Sequence, residues 1–127
     1  MSNQYLLDTN TVIYYINGVF DEKNSKIDDI FENSFNISII TRIEFLGWAG
    51  YREKNLFESA KEFIDNAHVF ALDEEVAEET VNIRRNQRIK IPDAIIAATA
   101  HVYNLALVTG NEKDFKGIVK DIHNPLP

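Results

Sequence analysis

Apolar positions in this chain switch repeatedly between short unbroken runs and spacings of three and four residues. Tyr5 to Leu7 is a brief buried run that predicts a strand. After it, Val12, Ile13, Tyr14 and Ile16 form an apolar helical stretch that stops near Gly18. Ile27, Ile30 and Phe31 recur at helical spacing and predict a helix over about residues 24 to 33. Ile37 to Ile40 reads as the next strand. Thr41 then opens a helix to about Tyr51, and Leu56, Ala60, Phe63 and Ile64 mark another. Val69 to Leu72 is a third strand, and Asp73 caps the helix that follows. Pro92, at a first helical turn, starts an alanine-rich helix to about Tyr103. Leu105 to Val108 is a fourth strand, and residues 118 to 122 have room for a fifth.

Short apolar strands alternating with helices predict one α/β domain over residues 1–127, with a central, mostly parallel sheet of four to five short strands flanked by helices. In such a sheet the strand ends that lead into helices share one edge, where ligands bind. Four acids stand at places of that kind: Asp8, Glu44, Asp93 and Asp114. Each also has a local explanation. Asp8 can cap the helix after the first strand. Thr41-x-x-Glu44 matches the capping box, in which the glutamate reaches back to the cap's amide. Asp93 follows Pro92 in a first turn, where the helix dipole favours an anion, and Asp114 lies three residues after Asn111, itself a candidate cap. Dipoles contribute only about 0.3–1 kcal/mol each at exposed sites, too little to gather several anions at one edge. A hard divalent cation with oxygen ligands, Mg²⁺ or Mn²⁺, is the natural counter-charge, as one ion or two. That chemistry points to phosphodiester cleavage.

Composition narrows the field. The 127 residues are 45% hydrophobic, with eight Phe, five Tyr and one Trp, enough for one packed core. The absence of cysteine excludes disulfides, thiolate nucleophiles and cysteine-based zinc sites. The N-terminal stretch lacks the positive region and apolar length of a signal peptide, and no run approaches the roughly 20 apolar residues of a membrane span. A soluble, cytoplasmic protein is therefore expected. The net charge of −7 argues against broad nucleic-acid affinity, but the charge is unevenly spread. Residues 80 to 92 hold no acid and carry Arg84, Arg85, Arg88 and Lys90. Arg85, Arg88 and Lys90, with Arg42, are candidate contacts for substrate phosphates. The other account of the run is complementarity to a helix dipole, since Asp73, Glu74, Glu75, Glu78 and Glu79 lead the same segment. Tyr14, Tyr15, Phe20, Phe31, Phe45, Trp48 and Tyr51 are concentrated in the first half, as core or as a self-association or partner surface. His68, His101 and His123 lack metal-ligand spacing and carry no assigned role.

The strings Leu7-Asp8-Thr9-Asn10, Thr41-x-x-Glu44, Ile91-Pro92-Asp93-Ala94-Ile95-Ile96-Ala97-Ala98-Thr99-Ala100 and Leu107-Val108-Thr109-Gly110-Asn111-x-x-Asp114-Phe115 resemble the PIN-domain ribonucleases, most of all the VapC-type toxins of toxin–antitoxin pairs. The resemblance spans nearly the whole chain in the right order. It implies a metal-dependent endoribonuclease whose core acids are Asp8, Glu44 and Asp93. Asp114 corresponds to the fourth acid, and either it or Asn111 completes the metal site. Thr9 and Thr109 would orient carboxylates or water; local bonding to the backbone is the alternative. The resemblance also implies an RNA substrate, a cognate antitoxin and a homodimer. The strongly negative net charge departs from what an RNA-cutting enzyme leads one to expect. Two rival readings remain. A haloacid dehalogenase-like phosphoryl-transfer domain would want a second aspartate where this chain has Asn10, and a PIN-like binding module would be expected to have lost acids that are all present here.

Overall fold

The computed structural model describes residues 4–18, 25–32, 34–50 and 54–126. Phe20 and Tyr51 lie outside them. Among the described residues the elements run β1 (Tyr5–Leu7), α1 (Thr9–Ile16), α2 (Ser25–Glu32), β2 (Asn36–Ser38), α3 (Ile39–Ala49), α4 (Lys54–Ile64) and β3 (His68–Phe70). The second half continues with α5 (Glu74–Asn86), α6 (Ile91–Val102), β4 (Ala106–Val108), α7 (Glu112–Phe115) and β5 (Ile122–His123). The strands form one sheet in the order β3-β2-β1-β4-β5, and every neighbouring pair is parallel.

Successive side chains on a strand point to opposite faces, and the two layers of core follow from that. Leu6 and Leu107 pack with α5, α6, Phe115 and Val119 on one face. Leu7, Val108 and Ile37 pack with helices α1 to α4 on the other. In α6 every residue from 94 to 100 is buried, and four of the seven are alanines, so the helix can lie close to both the sheet and α5. Tyr15, Phe31, Phe35, Phe45, Trp48 and Phe63 form a connected aromatic cluster on the other face. Most of the first-half aromatics are thus packing groups.

The strand order places the chain's reversal between β1 and β4. The chain steps outward from β1 to β2 to β3, then returns to the other side of β1. This is the topological switch point at which parallel sheets bind ligands. Among the described residues no helix is long and apolar enough to cross a membrane.

Several boundaries differ from the sequence reading. The second strand ends at Ser38, whose hydroxyl oxygen accepts from the Ile40 amide, and α3 begins at Ile39. Ile39 and Ile40 are helical, so Thr41 sits inside the helix and the proposed capping box does not form. The third strand is His68–Phe70 rather than residues 69 to 72. The fifth is Ile122–His123, later than the expected run. In each case β-branched or apolar residues made a neighbouring segment look like a strand, and pairing across the sheet set the real limits. Asp73 caps α5 as expected, its Oδ1 accepting from Val76 N at 2.8 Å.

Candidate active site

Asp8 ends β1 and begins α1, and that position gives it two tasks. Its Oδ1 accepts from Thr11 N at 2.9 Å, which is an ordinary N-cap. Its Oδ2 accepts from the Thr109 hydroxyl at 2.5 Å, a bond between residues 101 apart in sequence. Pairing of Leu7 with Val108 brings the ends of β1 and β4 side by side and makes that bond possible. Thr109 is itself held: its hydroxyl oxygen accepts from Asn111 N at 3.0 Å, and its amide donates to His123 O at 3.0 Å. Asp8 is only 5% exposed. Burial pushes its carboxyl above the usual carboxylate range, opposed by the hydrogen bonds from Thr109 and Thr11, and the charge of Glu44 pushes it further up.

Glu44 projects from the second turn of α3 toward α1. The Thr9 hydroxyl donates to Glu44 Oε1 at 2.6 Å and lies 3.1 Å from the Thr41 hydroxyl. A hydroxyl has one proton, and the carboxylate is the stronger acceptor, so Thr41 supplies the proton of the second bond. Thr41 and Glu44 lie three residues apart on one helix face, and the signal read in the sequence as a cap is instead a shared contact with α1. Asp93 stands in the first turn of α6, half-buried. Burial raises its carboxyl, and the charges of Asp114, Glu44 and Asp8 raise it further against the opposing effect of Lys90. Asp93 is therefore within electrostatic reach of the other three acids, and Asp8 of Glu44. Asp114 is oriented by Asn111, whose Nδ2 donates to Asp114 Oδ2 at 2.6 Å. Asn111 stands at the head of α7, yet its side chain makes no cap bond to the helix.

Asp8, Thr9, Glu44, Asp93 and Asn111 line one cleft of about 240 Å³, with Asn10, Ile13, Ile96 and Phe115 completing its wall. Sequence reasoning gave those last four and Thr41 no site role, although Asn10, Thr41, Ile96 and Phe115 lie inside the strings that carry the resemblance. Neither Lys nor Arg lines the cleft. Among the described residues no three acidic or histidine side chains converge tightly enough to form a ready-made cage for an ion. The donor set nonetheless fits a hard divalent cation in kind: carboxylate oxygens that repel one another, with no basic side chain among them.

The basic candidates lie elsewhere. Arg85 and Arg88 line a separate cleft of about 390 Å³ with Arg84 and Gln87. Lys90 is the N-cap residue of α6, on the approach to Asp93. Arg42 Nη1 is paired with Asp65 Oδ1 at 2.9 Å. His101, assigned no role from the sequence, joins three segments. Its Nδ1 lies 2.6 Å from Glu79 Oε2, and its Nε2 donates to Ile118 O at 2.5 Å.

Two substitutions probe how the loop after β4 is held. Thr109→Val keeps the shape of the side chain and removes the bond to Asp8. Loss of such an orienting partner costs metal sites about 10–100-fold in affinity, so Mn²⁺ binding by calorimetry should weaken by that much. Unchanged affinity would show that Asp8 needs no such support. At Gly110 an added Cβ would lie 2.5 Å from Leu126 Cδ1 and 3.0 Å from its Cγ. Gly110→Ala should therefore cost about 1–3 kcal/mol in denaturant unfolding, and Leu126→Ala should restore most of it. If the double variant is no more stable than Gly110→Ala alone, that contact is not the reason for glycine.

These features define an α/β domain with an acidic cleft at its switch point. The family model for the PIN domain matches residues 5–120, and the chain belongs to the PIN-domain family. Its fold is also that of chains in solved toxin–antitoxin assemblies. One, from a toxin–antitoxin complex of Klebsiella pneumoniae, shares 28% identity at a TM-score of 0.80, covering 96% of this chain and 98% of that one. A chain of DNA-bound VapBC from Salmonella typhimurium shares 25% at a TM-score of 0.81, covering 96% and 98%. A chain of VapBC2 from Rickettsia felis, bound to a promoter DNA fragment, shares 25% at 0.78, covering 94% and 96%. No curated protein matches the sequence. The resemblance to VapC-type PIN proteins is thus supported at the level of family and fold.

Proposed function

We propose that this protein is a divalent-metal-dependent endoribonuclease acting as the toxin of a toxin–antitoxin pair. The observation that carries the reading is the set of three carboxylates, from three separate chain segments, lining one switch-point cleft without a basic side chain, with Asp114 within electrostatic reach of Asp93. Asp8, Glu44 and Asp93, with Asp114 or Asn111, would hold Mg²⁺ or Mn²⁺, as one ion or two. Such an ion, when bound, would offset charge on the scissile phosphate and make water a better nucleophile. The chain's own side chains do the positioning. Thr109 and the Thr11 amide fix Asp8, Thr9 aims Glu44, and Asn111 aims Asp114. Asp93 accepts no hydrogen bond among the described residues, which leaves its oxygens available to the cleft. Ile13, Ile96 and Phe115 close the apolar side of the cleft and limit bulk water there.

An antitoxin segment covering the cleft would find apolar contacts near its acids. Ile43, beside Glu44, is 60% exposed, and Ile91, two residues before Asp93, is 52% exposed. The relatives were solved as toxin–antitoxin assemblies, which supports such a partner.

The test is incubation of a mixed cellular RNA pool with Mg²⁺ or Mn²⁺, comparing the wild type with Asp93→Asn and Glu44→Gln. Discrete fragments that require metal, reduced more than about 100-fold in each variant, are expected. Fragments that persist in both variants would refute the assignment of the cleft. One observation favours a second reading, a PIN-like binding module: among the described residues no three acids converge as the side chains stand. Absence of both cleavage and Mn²⁺ binding would establish that reading.

A further inference from the structure

A third cleft, of about 490 Å³, is lined by Lys116 and Lys120, in the segment that follows α7. It adjoins the arginine cleft. Gln87, in the arginine cleft, donates from Nε2 to Gly117 O in the lysine cleft at 3.4 Å. Gly117 has φ +86°, a turn that side-chain-bearing residues rarely make, and this turn presents its carbonyl to Gln87. One residue further on, Ile118 O accepts from His101. The segment bearing the lysines is thus tied, at two consecutive carbonyls, to Gln87 at the C-terminal end of α5 and to His101 in the last turn of α6.

We propose that these two clefts form one continuous strip that binds the phosphate backbone of single-stranded RNA running past the acidic site. Arg84, Arg85, Arg88 and Lys90 make up one half, and Lys116 and Lys120 the other. All six are exposed, and among the described residues none is ion-paired. Arg42 and Lys61, by contrast, share an ion pair with Asp65. In a chain of net charge −7, six cations left unpaired along one seam repel one another and gain most from a polyanion. The one acid in the lysine cleft, Glu112, accepts from Asn124 Nδ2 at 2.9 Å. The arginine loop leads into α6 and Asp93, and the lysine segment follows α7, which carries Asp114 and Phe115. The arginine half has Ile89 as its only apolar lining, which suits repeated phosphates, while Ile118, Val119 and Ile122 line the lysine half. The choice of RNA rests on the nuclease reading; the strip itself rests on the geometry.

The test measures binding of a fluorescent oligouridylate of about 20 nucleotides by anisotropy, in chelator so that nothing is cut, across a salt series. Lys116→Gln with Lys120→Gln should weaken binding about tenfold at low salt and flatten the salt slope by roughly 0.7 per lysine. Lys116→Arg with Lys120→Arg should retain both. Melting curves check that the exposed lysines are not needed for folding. If the wild type binds the probe and cleaves RNA with Mn²⁺, but the glutamine pair leaves affinity and slope unchanged, the strip is wrong and the nuclease reading stands. If the wild type neither binds nor cleaves, both fail together. Loss of binding to an oligoglutamate peptide with RNA affinity intact would assign the lysines to an acidic protein partner and overturn the proposal.

Discussion

Asp8→Asn is expected to lose more than about 100-fold in RNA cleavage while melting, without divalent cations, no lower than the wild type. The two effects have one cause. The carboxylate is buried against its own electrostatic interest, with its proton affinity raised chiefly by burial and further by Glu44. Asparagine keeps the size of the group and an oxygen to accept from Thr11 or Thr109, and it removes the buried charge. The sign of the pH dependence follows. Between the ordinary carboxylate value of 3.8 and the raised value, native Asp8 holds a proton that the unfolded chain has released. Stability then falls as pH rises through that window. Asp93, also raised, acts in the same direction.

Asp65 and Asp73 act oppositely and in a lower window. Asp65 is lowered by bonds from Arg42 and Lys61, Asp73 by Tyr103 and the Val76 amide. Their stabilisation is present above 3.8 and is lost as pH falls through their lowered values. Metal-free protein should therefore be most stable under mildly acidic conditions and decline toward neutral pH, and Asp8→Asn should flatten the decline. Adding Mn²⁺ at neutral pH should raise the wild type's melting temperature much more than the variant's. A wild type whose metal-free melting temperature climbs steadily to neutral pH would contradict the account of Asp8 as a destabilised anion.

Phe45→Ala is expected to remove about 3–5 kcal/mol of stability, a large part of the roughly 5–15 kcal/mol that holds a domain of this kind together. Phe45 is fully buried, with ring centres 5.7 Å from Trp48 and 6.1 Å from Phe63. It anchors α3 to the sheet next to Glu44, and the cavity left behind would be bounded by other rings that cannot easily collapse into it. Denaturant unfolding followed by tryptophan fluorescence measures the loss. At the adjacent position, Ile43→Ala should change stability by about 0.5 kcal/mol or less, because that side chain is 60% exposed. Equal effects at the two sites would mean that the face of α3 has been misassigned. Activity of Phe45→Ala measured well below its melting temperature should recover, since the phenylalanine touches no reacting group.

Much of this was legible from residues close together in sequence. The alternation of strands and helices, the Asp73 cap, Pro92 in the first turn of α6 and the alanine-rich burial of that helix all rest on interactions within about four residues, where periodicity and capping act. So does the placement of Asp8 and Asp93 at helix starts. The strand limits at Ile39 and Ile40 were not legible, because two β-branched residues carry a strand signal that a serine cap overrode.

The partners of the functional side chains belong to another level. Glu44 is bonded to Thr9 across 35 residues and Asp8 to Thr109 across 101, and Gln87 meets Gly117 across 30. Arg42, read from the sequence as a candidate phosphate contact, is paired with Asp65, a partner 23 residues away that the sequence does not reveal. The sequence by itself determined which segments become strands and helices and which acids stand at their junctions, because those choices are made by local periodicity and caps. Tertiary structure alone decided that β4 returns beside β1, and with it which hydroxyl holds which carboxylate. Strand order and register are chosen by burying both faces of the sheet at once, and no short stretch of sequence contains that information.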